Sequence, residues 1–218
     1  MKKAFTMLEL VFVIVVIGIL AATIIPSIKT NPLREAAIQL VSHIKYTQHL
    51  AMVDDKYGDN TTGLDWYKKR WQIVFSTSDN NADNKPAYLI FRDSDADGTV
   101  DKSELAHDNI DISKYLTGGL TGYSTLNINS LSNFDGTSSL NLGKKYGITN
   151  ITLSSTCSTG TKVAFDHLGR PIKGPLSSYS SPYPSTKPIV AACKIMLFNG
   201  DGNITIEIEK ETGYTRIN

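Results

Sequence analysis

Between Asp93 and Glu104 the chain runs Asp93-Ser94-Asp95-Ala96-Asp97-Gly98-Thr99-Val100-Asp101-Lys102-Ser103-Glu104. Five carboxylates in twelve residues repel one another unless a cation sits among them. Their spacing satisfies every constrained position of the twelve-residue calcium loop. Asp93, Asp95 and Asp97 bring three carboxylates around one point, and Gly98 permits the sharp turn. Thr99 offers a backbone carbonyl, Asp101 can hold a bridging water, and Glu104 can close the shell with both oxygens. Val100 is expected to turn inward as an apolar anchor. Such a set of hard oxygen donors suits Ca2+, in the structural task of pinning a long loop. The segment ahead of it, residues 88–91, looks like a strand, so this is a calcium-loop fragment and not a helix-loop-helix sensor.

A second charged group stands out by its surroundings. Glu9 is the one carboxylate at the head of an apolar run that follows Lys2-Lys3-Ala4 and continues to Ile25. Residues 5–25 are long enough to be expected to cross a bilayer, with the two lysines holding the N-terminus inside. An acid in such a run is costly, about 2.5–3.5 kcal/mol on insertion scales, so it is expected to have a partner and a task. A secretory signal peptide cut near Ala21-Ala22 is the competing interpretation. It fits less well, because Leu20 stands where a small residue is wanted and Glu9 interrupts the apolar core.

Other chemistry finds little footing. Asp166 and His167 are neighbours, but no nucleophile elbow, metal-binding histidine pair or phosphate loop accompanies them. His43 and His49 are six residues apart, which does not put them side by side on a helix, so both are expected to be ordinary surface or edge histidines. The formal net charge of +1 gives no support to a strongly nucleic-acid-binding surface. With 218 residues, 41% of them hydrophobic, the chain can hold one membrane helix and one globular domain.

The elements that must position these groups follow from pattern. Thr30-Asn31-Pro32 offers an N-cap and a first-turn proline, and Leu33, Ala37, Leu40, Ile44 and Ala51 recur at helical spacing. Gly58 and the polar run 59–63 end that helix. Beyond it, residues 71–75, 88–91, 151–153, 162–165 and 189–198 are rich in aromatic and β-branched types and are expected to be strands. Ile204, Ile206 and Ile208 alternate with polar residues, as in a half-buried strand, and residues 199–203 form the hairpin loop before it. Residues 174–188 are expected to be a long surface loop.

The N-terminal residues resemble the type IV pilins and the pseudopilins of type II secretion. The shared features are the short basic leader, the Ala4-Phe5 junction, Glu9 as fifth residue after it, and Pro26 in the helix. Ala4 stands where the family usually has Gly. The resemblance implies cleavage between Ala4 and Phe5 by a prepilin peptidase, N-methylation of Phe5, and a role in assembly for Glu9, which would pair with the new α-amine. It implies as partners other pilin or pseudopilin subunits and the inner-membrane assembly platform, with a secreted substrate or DNA as a further partner.

A fainter resemblance, to GspH/FimT-type minor pseudopilins, rests on residues 71–75, Phe165-Asp166-His167-Leu168-Gly169-Arg170-Pro171 and the closing residues 206–214. DNA-binding members of that group carry Gly-Arg-x-Arg in the tail, and here the corresponding residues are Gly213-Tyr214-Thr215-Arg216. Lys144, Lys145, Arg170 and Arg216 are the cations that a phosphate patch would use.

The expectation is therefore an α+β, pilin-like chain. Residues 1–4 are a leader, 5–25 a membrane-spanning or filament-core helix, 26–57 its exported half, and 58–218 a β-rich domain with the calcium loop 93–104. The domain would lie in the periplasm, where disulfides persist, and Cys157 and Cys193 are expected to be bonded there. The expected function is that of a structural, non-enzymatic filament subunit.

Overall fold

The computed structural model describes residues 6–24, 31–54, 65–130, 133–157 and 160–218. The expectations that fall on Ala4, Phe5, Pro26, Thr30 and residues 58–63 lie outside these. The chain divides into two compact units, Met1–Asn31 and Pro32–Asn218.

The first unit contains helix α1, Met7–Ile24, and the second opens with helix α2, Pro32–Val53. This corrects the expectation of one long N-terminal helix with a membrane-spanning first half. Among the described residues, no helix is long and apolar enough to cross a membrane. The 18 residues of α1 rise about 27 Å at about 1.5 Å each, short of the roughly 30 Å of a hydrocarbon core. Helix α2 has length enough, but its sequence is amphipathic and carries Arg34, Glu35 and Lys45.

The second unit is α+β. Strands β1 (Trp71–Asp79), β2 (Lys85–Arg92), β4 (Lys162–Phe165) and β5 (Pro171–Lys173) form one antiparallel sheet in the order β2-β1-β4-β5. Strands β3 (Asn150–Leu153), β6 (Cys193–Asn199), β7 (Gly202–Ile208) and β8 (Thr215–Ile217) form a second, in the order β3-β6-β7-β8. Between β2 and β3 the chain makes short 3-10 turns and one five-residue helix, α3 (Leu142–Tyr146).

Helix α2 joins the sheets through one stripe. Ala37, Leu40, Ile44, Thr47 and Ala51 are buried at steps of three and four, the spacing that keeps side chains on one helix face, and Ala36 is buried beside them. The apolar members of the stripe share a core with Ile73 and Phe75 of β1, Tyr88 and Ile90 of β2, Val163 and Phe165 of β4, and Ile195, Leu197, Ile206 and Ile208 of the second sheet. Each large aliphatic side chain fully buried in this way contributes about 1.5–3 kcal/mol.

A polar link reinforces the stripe. Gln48 Nε2 donates to the carbonyls of Gly169 and Thr212, both at 2.8 Å. A Cβ on Gly213 would meet that amide nitrogen at 2.5 Å, and one on Gly169 would meet it at 3.0 Å and Met52 Sδ at 2.9 Å. Both glycines also have positive φ, so the turns they occupy close on helix α2 only without side chains. Gly169 and Gly213 thus have a packing reason.

Cys157 and Cys193 are disulfide-bonded, with Cα atoms 4.5 Å apart and both side chains fully buried. The bond ties the turn after β3 to the first residue of β6.

His43 is half-buried on α2, at the edge of the helix's buried stripe. Its Nδ1 lies 2.6 Å from the Tyr88 hydroxyl, which also accepts from Gln39 Nε2 at 2.9 Å. Burial lowers the His43 pKa, against the opposing charge of Asp108. The folded state therefore favours the neutral ring, and this contribution to stability is present above the unfolded value of about 6.5. It is lost as pH falls through the depressed folded value. His43→Gln is accordingly expected to flatten the decline in melting temperature on acidification from about 6.5 down to that depressed value. A variant with the wild-type slope would remove His43 from the account.

Candidate metal centre

Strand β2 delivers the chain into the acidic loop. Its partner β1 fixes its register, Trp71 opposite Arg92 and Phe75 opposite Tyr88. Asp93 follows immediately and is 1% exposed. A 3-10 turn, Lys102–Glu104, closes the loop. The loop is thus flanked by a strand and a 3-10 turn.

One carboxylate oxygen from each of Asp93, Asp95 and Asp97 lies within 4.8 Å of the others. The loop's own amides hold this arrangement. Gly98 N donates to Asp93 Oδ2 at 2.9 Å, Asp97 N to Asp95 Oδ1 at 3.2 Å, and Thr99 N to Asp97 Oδ1 at 2.7 Å. Gly98 has φ +86°, and a Cβ there would meet Ser177 Cβ at 3.0 Å. Both the turn and the close approach of the segment Leu176–Ser178 therefore depend on glycine.

Asp93 carries the strain of the site. Its Oδ1 is buried without a hydrogen-bond partner, and burying a polar atom in that state costs free energy. Burial raises its pKa most, with Glu104 and Asp95 adding repulsion, against the opposing N–H groups of Gly98 and Ala96.

Both carboxylate oxygens of Glu104 accept hydrogen bonds from within the loop. Its Oε1 accepts from Ser94 N and from Ser94 Oγ, the latter at 2.9 Å, and its Oε2 accepts from Asp101 N at 3.1 Å. The carboxylate thus pins the start of the loop to its end. Asp101 Oδ1 accepts from the Tyr123 hydroxyl at 2.7 Å. Val100 packs against the small core of Leu89, Phe91, Leu105, Leu120 and Leu126, while Thr99 sits at the turn with its hydroxyl also on Asp97.

Two neighbours had no signal in the sequence. Lys162, on β4, lies over the Phe91 ring at 5.2 Å, with its ammonium 3.5 Å from the Gly98 carbonyl. Burial lowers its pKa, and the charge of Asp93 opposes that shift. Ser177 touches Gly98 from a segment 79 residues later in the chain.

The other candidate residues are committed elsewhere. Glu9 Oε2 accepts from Thr6 N and Thr6 Oγ1, both at 3.0 Å, and Glu9 N donates to Thr6 Oγ1 at 3.3 Å. This is a reciprocal cap on the first turn of α1. Asp166 lies just past β4 in a turn, 1% exposed, where its carboxylate accepts from Leu168 N, Arg170 N and Arg170 Nε. His167 Nδ1 instead faces the Tyr183 hydroxyl at 3.3 Å. Arg216 pairs with Glu207 at 3.1 Å and Glu209 at 2.8 Å, Arg170 with Asp166 at 2.7 Å, and Lys144 with Asp83 at 3.4 Å. A groove of about 610 Å³ runs beside Arg170, Ile172, Tyr183, Ile189, Lys210 and Glu211.

No protein-family model, curated protein or solved structure matches the chain.

Proposed function

We propose that the chain is a structural subunit of a type IV pilus or type II secretion pseudopilus, joined to its neighbours through helix α1. The observation that carries this reading is the surface of α1. Every described side chain from Met7 to Ala21 is exposed, and apart from Glu9 all of them are apolar or glycine. The exposure includes Met7 at 87%, Leu8 at 80% and Phe12 at 68%. A helix apolar all round is a buried helix in its working state, because water on every side of such a surface is unfavourable. In a filament the burying partners are the same helices of neighbouring subunits.

The remaining parts fit that role. The leader would be removed between Ala4 and Phe5 by a prepilin peptidase, and the Phe5 amine, then methylated, would find its counter-charge in Glu9. The buried disulfide suits a domain exported to an oxidising compartment, the periplasm or beyond. Assembly would use the inner-membrane platform that such filaments share. The occupied state of Asp166 favours a non-enzymatic role. The carboxylate pairing of Arg216, Arg170 and Lys144 favours secretion or adhesion over DNA uptake.

Mass spectrometry of the N-terminal peptide of the protein from its native cells tests the processing. The expected peptide begins at N-methylated Phe5. A peptide retaining Met1, or one beginning near Thr23, would rule the reading out.

A further inference from the structure

We propose that the loop from Asp93 to Glu104 is a calcium site whose ion is held by Asp93, Asp95 and Asp97, with Glu104 ordering the loop around it. The inference is independent of filament assembly. Three observations converge on it. The oxygens of the three aspartates already lie within 4.8 Å of one another. Asp93 is 1% exposed, and its Oδ1 has no hydrogen-bond partner, so a donor or a cation is what that atom lacks. Lys162 addresses the Gly98 carbonyl at 3.5 Å, and among the described residues it forms no ion pair with the three acids.

The chemistry selects the ion. All the donors are oxygens, as calcium and magnesium prefer, and thiolates and imidazoles are absent from the cluster. Asp95 and Asp97 are exposed, so the outer half of the shell is open to water. A partly hydrated, carboxylate-rich loop of this kind suits the variable coordination of Ca2+ better than the strict octahedron of Mg2+. Extracellular modules of this type bind in the range of about 10⁻⁴–10⁻³ M.

The position of the loop gives the ion a consequence. Gly98 lies against Ser177, and Val100 packs into the cluster that contains Phe91 and Leu126. Calcium would therefore fasten β2 to both the segment Leu176–Ser178 and the irregular region after the loop. In its absence, mutual repulsion among the acids would loosen the same contacts.

The test uses the purified full chain. Tb3+, a luminescent stand-in for Ca2+, is titrated with excitation through the tyrosines. Tyr123 touches the loop at Asp101. The expected result is a single saturable luminescence signal, displaced by Ca2+ at submillimolar to millimolar levels and far less by Mg2+. Calcium is expected to raise the melting temperature of the wild type, and chelation to reverse the rise. The double variant Asp95→Asn with Asp97→Asn changes only exposed side chains, so it is expected to fold. It should bind both ions at least about tenfold more weakly, as the charge dependence of such loops requires, and its melt should ignore calcium. Equal binding and an equal calcium shift in this variant would overturn the assignment, as would a wild-type melt indifferent to about 10 mM Ca2+.

Discussion

Serine in place of both Cys157 and Cys193 is expected to lower the stability of the globular unit by about 4 kcal/mol. The bond closes a loop between residues 36 apart, and the chain-entropy relation for a loop of that size gives this magnitude. Both sulfurs are fully buried at the junction of β3 and β6. The loss therefore falls on the sheet that supplies Ile195, Leu197, Ile206 and Ile208 to the main core. For a unit of this size the drop corresponds to about 8–16 °C in melting temperature. Calorimetry of the oxidised wild type against the double variant reads it directly. A difference of under about 2 °C would mean that the bond constrains nothing that packing does not already hold.

Replacement of Glu9 by Gln is expected to abolish incorporation into filaments while leaving helix α1 capped. The structure gives Glu9 a local role, as acceptor for Thr6 N and Thr6 Oγ1. Glutamine can fill that role through its amide oxygen, since both residues serve at the third helical position of a capping box. What glutamine lacks is the charge that would meet a neighbouring α-amine. In a site stripped of water, losing one member of a charge pair costs about 3–5 kcal/mol, enough to reduce incorporation by more than a hundredfold. Glu9→Ala removes both roles, so comparing the two variants separates them. Normal incorporation of the glutamine variant, with loss only in the alanine variant, would reduce Glu9 to a helix cap.

The parts of this molecule that could be anticipated from sequence are those set by local spacing. The three loop aspartates sit at fixed offsets ahead of Gly98, and their oxygens converge as that spacing implies. The apolar steps Ala37, Leu40, Ile44 and Ala51 all face the core. Strand β4 was legible from β-branched and aromatic content and β7 from the alternation of Ile204, Ile206 and Ile208 with polar residues, whereas β5 and β8, three residues each, are too short to carry a periodic signal. Residues 189–192 belong to a loop, and β6 begins at Cys193.

The errors have physical causes. Summed hydropathy from Phe5 to Ile25 measures apolar content but not helical length, so it supported a span that the 18 residues of α1 do not supply. Gln48 could not be found at all. Its two carbonyl partners lie 121 and 164 residues away, and only the folded chain brings the turns at Gly169 and Gly213 to one side of α2.

In the proposed filament, α1 would bury its apolar surface against copies of itself or its relatives. Filaments sheared from native cells and separated from membranes by sedimentation provide the most direct measurement. The account predicts this chain, beginning at Phe5, in the filament fraction, in amounts that disappear when the prepilin peptidase is absent. Its complete absence from sheared filaments, with the intact chain recovered in a fraction free of any other filament subunit, would contradict it.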